Sequence, residues 1–219
     1  MNKYKILIVI TFIICTMSLI KVKAYIYDLP LLTKIIYLDP GHGGTDPGAI
    51  YQNVLEKDIN LIISKKLGAK LESLGATVLY TRTDDYDLAT PHATLRKRSD
   101  LGKRADLINE SKCDMYISIH LNAYSSPKWK GLQIFYDSVN KNNEDIAKSL
   151  TTYIKQNIKN TRDYKLGLGY YMYQRITVPG VLIEVGFISN PEERYLLQQE
   201  TYQEKVVTAI ALAINNYYN

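Results

Sequence analysis

Apolar runs rich in β-branched residues alternate along the chain with segments of helical period, and this alternation constrains the fold more than any other feature. The apolar runs predict five strands, over residues 34–38, 77–81, 115–120, 131–136 and 181–185. Segments with apolar residues every three or four positions predict helices over residues 56–74, 95–111, 143–159 and 201–218. Strands that alternate with helices form a mainly parallel sheet. The predicted fold is α/β, a single domain whose twisted, mostly parallel sheet is flanked by helices on both faces.

The first 24 residues predict an export segment. Lys3 and Lys5 precede a largely apolar run from Ile6 to Ile20, and Ala24 provides a small residue at the expected cleavage point. The run is shorter than the roughly 20 residues that a spanning helix needs. A cleaved signal peptide is therefore favoured, with an uncleaved N-terminal membrane anchor as the open alternative. Residues 25–219 then form the single mature domain, exported across the cytoplasmic membrane.

The charge distribution argues against nucleic-acid binding. The formal net charge of the whole chain is +5, but the first 24 residues contain four lysines and no acidic residue. The rest of the chain therefore carries a net charge of only +1. A protein with so small a net charge lacks the extended positive potential that attracts the phosphates of a nucleic acid, so no nucleic-acid partner is expected.

Three predicted strands end in side chains that can do chemistry. The first runs into Asp39-Pro40-Gly41-His42-Gly43-Gly44, the third contains His120 near its end, and Glu184 interrupts the apolar run of the last. In parallel α/β sheets, ligands bind beyond the carboxyl ends of the strands. A single histidine at such a place is more often a satisfied polar group than a ligand, but two at one edge favour function. A buried carboxylate must either find a partner or shift its pKa.

Glu56 has two interpretations that spacing alone does not separate. The segment Asn53-Val54-Leu55-Glu56 fits a helix cap followed by an acidic residue in the first turn. Yet Glu56 precedes Ile59 by three residues and so lies on the helical stripe that faces the sheet. An acid on that stripe could bind a metal ion, and both alternatives stay open.

Two neutral imidazoles and one carboxylate are a common ligand set for a catalytic zinc ion whose fourth position is open to water. His42, Glu56 and His120 would form such a set. Glu184 would then be the second carboxylate, which binds no metal and accepts a proton from the water. The sequence therefore favours one Zn²⁺ per chain, with Glu184 as the general base.

Four ordered motifs resemble those of the zinc-dependent N-acetylmuramoyl-L-alanine amidases of bacterial cell walls. They occupy, in chain order, Leu38–Gly44, Glu56–Leu61, Ser118–Ala123 and Glu184–Asn190. Arg104 and Asn109 also fit the family pattern, and the likeness extends from about residue 34 to the end of the chain. It implies that the three predicted ligands bind zinc and that Glu184 is the catalytic acid/base. The implied substrate is peptidoglycan, at the amide between the lactyl group of N-acetylmuramic acid and the L-alanine of the stem peptide.

Within that family, the chain most resembles the germination-specific branch that acts on the spore cortex. Segments 107–111, 125–131 and 202–206 carry this resemblance. It implies action in the cell wall or the forespore intermembrane space, during muramic δ-lactam formation and before a muramic-acid deacetylase. An accessory lipoprotein is also implied, because some spore-forming relatives need one. Another peptidoglycan zinc peptidase, a vegetative cell-wall autolysin and a wall-binding protein without catalysis stay open as alternatives.

Several further residues are candidates for contact with the substrate. Asn122, two residues past His120, could hold the substrate or could equally cap a loop. Aromatic rings can stack on sugars, and the candidates for this role are Trp129, Tyr170, Tyr171 and Tyr173. Packing in the core or at a sheet edge is the favoured interpretation of these four aromatic residues.

Overall fold

A computed structural model describes residues 3–27, 29–167 and 169–219. The first two residues of the predicted export segment lie outside these ranges. Helix α1, Lys3–Tyr27, covers the rest of that segment. Among the described residues, no helix combines the length and the apolar character needed to cross a membrane.

A six-stranded sheet forms the centre of the fold. Its strands, in spatial order, are β4 (Thr77–Tyr80), β1 (Ile35–Pro40), β5 (Met115–Asn122), β8 (Gly180–Phe187), β6 (Gln133–Tyr136) and β7 (Lys165–Leu166). The first four run parallel to one another, whereas β6 runs antiparallel to β8 and parallel to β7. This sheet confirms the predicted α/β class and the predicted mostly parallel arrangement.

Helices cover both faces of the sheet, as predicted. The helices of one face are α2 (Glu56–Ser73), α4 (Asn143–Asn157) and α6 (Glu200–Tyr218), which pack on one another and on the strands. Helix α3 (Arg96–Ser111) and a 3₁₀ turn at Tyr173–Arg175 cover the other face. A hydrophobic core lies on each face of the sheet, and successive side chains of a strand point alternately into one core and the other. In β5, for example, Ile117 joins the core beneath α2, and Tyr116 joins the core beneath α3.

The predicted elements agree with the observed ones to within two residues at each end. Five short elements were not predicted. They are the two strands of a hairpin, β2 (Ile50–Tyr51) and β3 (Val54–Leu55), the edge strand β7, the 3₁₀ turn at Tyr173–Arg175, and helix α5 (Pro191–Leu197). Asn190 caps α5 by accepting a hydrogen bond from the Glu193 N–H, and Pro191 follows in the first turn.

Strand register places the polar residues of the sheet at neighbouring positions. Asp39 of β1 lies level with Ser118 of β5, and His120 of β5 lies level with Glu184 of β8. The register then shifts by one residue, so that Asn122 pairs with Phe187. Such a bulge bends the strand and re-aims its side chains, and it occurs here directly after the level of His120 and Glu184.

Candidate active site

Three residues from separate segments bring metal-binding atoms together at the carboxyl edge of the sheet. His42 follows β1, Glu56 begins α2 and His120 lies in β5. Their candidate ligand atoms all lie within 4.8 Å of one another. Glu56 Oε1 is 3.2 Å from His42 Nε2 and 3.1 Å from His120 Nδ1. The structure therefore assembles the two imidazoles and one carboxylate that a catalytic zinc ion binds.

The side chain of Glu56 does not cap its own helix. The N-cap residue of α2 is Leu55, which makes no side-chain cap bond, and Asn53 lies in the β2–β3 turn with a φ of 64°. The carboxylate of Glu56 is instead buried, with 4% of the residue exposed, and faces the two histidines. Of the two interpretations left open by spacing, this geometry favours metal binding.

Hydrogen bonds hold Glu56 as an anion despite its burial. The Ala49 N–H donates to Oε2 at 2.9 Å, and the Leu121 N–H donates to Oε1 at 3.0 Å. Burial by itself raises the pKa of a carboxyl group, but the hydrogen bonds and charges of His120 and His42 outweigh it and hold the Glu56 pKa well below its usual range. The charge that a metal cation requires is therefore present at neutral pH.

Asp46 orients His42 toward the other ligands. The Asp46 Oδ2 lies 2.9 Å from His42 Nδ1, so the ring presents Nε2 to Glu56. Burial raises the Asp46 pKa, but the contact with His42 outweighs it and lowers this pKa to about 2. Metal-binding histidines commonly donate their second N–H to such a carboxylate, which fixes the tautomer. Sequence analysis missed Asp46; its position four residues after His42, beyond two glycines, was the available signal.

Two glycines leave the space that the candidate ligands occupy. A Cβ atom at Gly41 would overlap the His120 imidazole, and one at Gly48 would lie 2.6 Å from Glu56 Oε2. Gly48 also has a φ of +67°, which side-chain-bearing residues rarely adopt. Any larger residue at either position would displace a ligand.

Arg104 holds the backbone on both sides of Gly41. Its guanidinium is almost fully buried and donates to Asp39 Oδ1 at 2.8 Å, to the Pro40 carbonyl at 2.9 Å and to the His42 carbonyl at 2.7 Å. Asp100, one turn earlier on α3, accepts a further bond at 2.8 Å. This arginine, which the family pattern singled out, therefore ties the His42 loop to α3.

Arg82 is a second buried arginine that sequence analysis missed. It donates to the carbonyl oxygens of Pro40 at 3.0 Å, Gly41 at 3.0 Å and Lys57 at 2.8 Å. Within the described part of the chain, it forms no salt bridge with a carboxylate. Its hydrogen bonds therefore join the loop that carries His42 to the first turn of α2, which carries Glu56.

Glu184 faces the same site from β8. Only 9% of the residue is exposed, and its Oε2 has no hydrogen-bond partner among the described residues. Burial, and then the negative charge of Glu56, raise the Glu184 pKa well above its usual value. The buried carboxylate is thus accommodated by a shifted pKa rather than by a partner. Such a group, unpartnered beside a candidate metal site, has the properties of a general base or acid.

A cleft of about 280 Å³ leads to these residues. Its wall comprises His42, Glu56, Lys97, Leu101, His120, Leu121, Tyr170, Tyr171, Met172, Tyr173, Leu182 and Glu184. The ligands and Glu184 are polar, whereas most of the remaining wall is apolar or aromatic. A small polar cluster within an apolar cleft is typical of a catalytic site.

The chain matches the family described as N-acetylmuramoyl-L-alanine amidase over residues 36–216. It belongs to that family. The germination-specific N-acetylmuramoyl-L-alanine amidase of Bacillus subtilis (strain 168) is 46% identical over 196 residues, which cover 88% of this chain and 83% of the relative. These similarities confirm the predicted family and the predicted hydrolase activity on peptidoglycan.

Solved structures of amidases share the fold of this chain. The CwlD amidase from Clostridioides difficile, solved in complex with the GerS lipoprotein, has a TM-score of 0.80 and 39% identity, covering 84% of this chain and 98% of that one. The catalytic domain of CwlV, an N-acetylmuramoyl-L-alanine amidase from Bacillus (Paenibacillus) polymyxa, has a TM-score of 0.74 and 28% identity over 84% of this chain. The fold described above is therefore the amidase fold.

The aromatic candidates of this amidase differ in their position relative to the cleft. Tyr170, Tyr171 and Tyr173 all line its wall. Tyr173 is the buried one of the three, and its hydroxyl donates to Ser118 Oγ at 3.0 Å, which holds the ring in the core. Trp129 is not part of that wall; it is 42% exposed and meets Tyr124 edge to face with ring centroids 5.7 Å apart.

Asn122 ends β5 on the far side of the bulge from His120. Its backbone carbonyl accepts a hydrogen bond from the Ile188 N–H at 2.9 Å, and the residue is half-buried. It does not line the cleft described above. A role of the Asn122 side chain in substrate binding stays a prediction.

Proposed function

We propose that this amidase cleaves the bond between N-acetylmuramic acid and L-alanine with one zinc ion held by His42, Glu56 and His120. The observation that carries the proposal is the convergence of these three donors beside an unpartnered, buried Glu184 in one cleft. The donor chemistry fits zinc, and the contact between His42 Nδ1 and Asp46 Oδ2 is of the kind that orients metal-binding histidines.

The chain's own residues supply the proton transfers of hydrolysis. When bound, zinc would polarise the substrate carbonyl and increase the acidity of the attacking water. Glu184 accepts a proton from that water as the new C–O bond forms. It then donates this proton to the nitrogen of L-alanine as the C–N bond breaks, and returns to its starting state. The upward shift of the Glu184 pKa suits a group that must return a proton to the leaving nitrogen as well as accept one from water.

We also propose a role in spore-cortex maturation, in which the product enters muramic δ-lactam formation ahead of a deacetylase. The support is the 46% identity to a germination-specific amidase. A lipoprotein partner is proposed by analogy, because the CwlD structure contains the GerS lipoprotein. The vegetative autolysin remains the alternative, since relatives such as the LytC amidase of Bacillus subtilis (strain 168) are 30% identical.

Export through residues 1–24, with cleavage after Ala24, is part of the same proposal, because the substrate lies outside the cytoplasmic membrane. N-terminal sequencing of the protein recovered from outside the cell tests it. We expect the mature chain to begin at Tyr25. A full-length protein retained in the membrane would support the anchor alternative.

Metal analysis combined with mass spectrometry of digested muropeptides tests the proposed activity. We expect about one zinc ion per chain, and products with a free L-alanine amino group and an intact lactyl-linked sugar. A peptidase would free other amino groups. A wall-binding protein without catalysis would bind muropeptides and leave them intact, and either result would refute the proposed reaction.

A further inference from the structure

Two guanidinium groups flank one tyrosine at the rim of the cleft. Arg98 of α3 lies 4.8 Å from the centroid of the Tyr171 ring, and Arg175 of the 3₁₀ turn lies 5.1 Å from it. Both arginines are exposed. The salt bridges of the described residues include neither of them. Both guanidinium groups therefore keep N–H groups that an external anion can bind.

A positively charged groove continues outward from this tyrosine. The groove has a volume of about 510 Å³, and its lining residues are Leu95, Arg96, Lys97, Arg98, Leu101 and Tyr171. Three of these residues, Lys97, Leu101 and Tyr171, also line the catalytic cleft. The groove and the cleft are therefore one continuous depression, with the candidate zinc ligands at one end and cationic side chains at the other.

Lys97 stands at the junction of the two parts. Its side chain is 65% exposed, and its Nζ lies 3.2 Å from Asp46 Oδ2. Arg96, in contrast, is already occupied, because it pairs with Asp87 at 2.8 Å. Among the described cations that line the groove or contact Tyr171, Arg98 and Arg175 are therefore the two without a carboxylate partner.

We propose that Arg98 and Arg175 form a subsite for the carboxylates of the substrate's stem peptide. The inference rests on the proposed function, in which the bond to be cleaved joins a sugar to a peptide. Stem peptides carry free carboxylates, so the anionic arm of the substrate is the peptide, and it lies along the basic groove. Guanidinium groups bind carboxylates through paired, charge-assisted hydrogen bonds, which a stacked and oriented arginine makes at low entropic cost.

The experiment compares two matched soluble muropeptides, one with free stem-peptide carboxylates and one with these groups converted to amides. The test variant is the double change Arg98→Gln and Arg175→Gln. We expect its KM for the acidic substrate to rise at least about tenfold, the scale of one lost charge-assisted hydrogen bond. Its kcat and its KM for the amidated substrate should stay within about twofold of the wild type.

Two further variants separate charge from packing. The double change Arg98→Lys and Arg175→Lys keeps both charges while weakening the contact with Tyr171, so most of the affinity for the acidic substrate should return. Lys148→Gln removes one charge from exposed α4 and should change neither KM. A KM that rises equally for both substrates would mean that the arginines only hold Tyr171 in place, and it would overturn the proposal. An unchanged KM would do the same.

Calorimetry with the free acidic stem tripeptide separates this inference from the proposed reaction. If the zinc-loaded wild type cleaves neither muropeptide, the proposed reaction fails. The subsite is then judged on binding alone, since the peptide should still bind the wild type and bind the glutamine double variant at least about tenfold more weakly. Equal binding to both proteins would overturn the subsite whatever the activity.

Discussion

At the scale of single residues, the pKa values of the two buried glutamates of the site are shifted in opposite directions. Glu56 is held as an anion by donors on both of its oxygens, whereas Glu184 has an unpartnered oxygen and a raised pKa. The difference follows from what faces each carboxylate: imidazoles and backbone N–H groups in one case, apolar surroundings and a second carboxylate in the other. Environments that separate two carboxylate pKa values commonly assign them different chemical roles.

The change Glu184→Gln separates catalysis from metal binding. The amide is nearly isosteric but accepts no proton, so turnover should fall roughly a hundredfold to ten-thousandfold, the usual scale for loss of a general base. Zinc content and muropeptide binding should persist, as measured by metal analysis and calorimetry. Loss of zinc would make Glu184 a ligand, and near-normal turnover would make it structural.

The change Glu56→Gln tests the ligand that spacing left ambiguous. It removes the anionic donor while keeping the shape, so zinc affinity and activity should both be lost with the fold intact, as measured by metal analysis and circular dichroism. If Glu56 only stabilised the start of α2, the variant would keep full activity and lose about 1 kcal/mol or less of unfolding free energy. Glu72→Gln, at the other end of the same helix, is the matched control and should keep zinc.

At the scale of elements, the sequence predicts whatever repeats over several turns or residues. The long helices and the central strands are predicted to within two residues, because one buried face imposes a period on each of them. The β2–β3 hairpin and β7 have two residues per strand, which is too few to show a period. They form because a neighbouring segment offers a backbone partner.

The same reasoning explains which site residues the sequence predicts. His42, His120 and Glu184 lie in or directly after strands, so their common edge follows from topology. Asp46 and Arg82 lie in loops, and their partners depend on loop conformation. Arg82 and Gly41 are 41 positions apart in the sequence, and nothing in the sequence between them signals that the two groups meet.

Arg82 links two elements, and its removal should loosen both candidate ligands that they carry. Arg82→Met removes three hydrogen bonds to the His42 loop and the first turn of α2, although Arg104 still donates to the Pro40 carbonyl and Asn60 to the Gly41 carbonyl. We expect a loss of about 3 kcal/mol or more in unfolding free energy, measured by denaturant titration, because each hydrogen bond that involves a charged group contributes about 1.5–3 kcal/mol. Zinc affinity, measured by chelator competition, should also weaken.

Lys65→Met is the matched control for that variant. Lys65 is an exposed cation on α2, so its removal should cost about 1 kcal/mol or less. Equal losses in the two variants, or an unchanged zinc affinity in Arg82→Met, would contradict the proposed linking role.

At the scale of the whole molecule, the chain after residue 24 carries a net charge of only +1, so repulsion between like charges does little to destabilise the fold. The pH dependence should then come from a few buried groups that join elements. Asp39 of β1 is the clearest case, because it accepts hydrogen bonds from Arg104 of α3 at 2.8 Å, Ser118 of β5 at 2.6 Å, and Thr81, which follows β4, at 2.7 Å. This one carboxylate therefore connects three strands of the sheet to α3.

Acid should weaken the fold through Asp39. Burial alone raises the pKa of its carboxyl group, but Arg104 and the two hydroxyl donors outweigh it and lower the pKa below its usual value. The stabilisation is therefore fully present above the unfolded-state pKa of about 3.9 and is lost as the pH falls through the lower folded-state pKa.

In metal-free protein, Asp39→Asn should lose on the order of 3 kcal/mol of unfolding free energy at pH 7, because Arg104 loses a buried ionic partner. Its loss of stability between about pH 4 and pH 2 should then be shallower than that of the wild type. Asp145→Asn, on exposed α4, should follow the wild-type curve in denaturant titrations across this range. An Asp39→Asn curve parallel to the wild type would show that other groups carry the acid sensitivity.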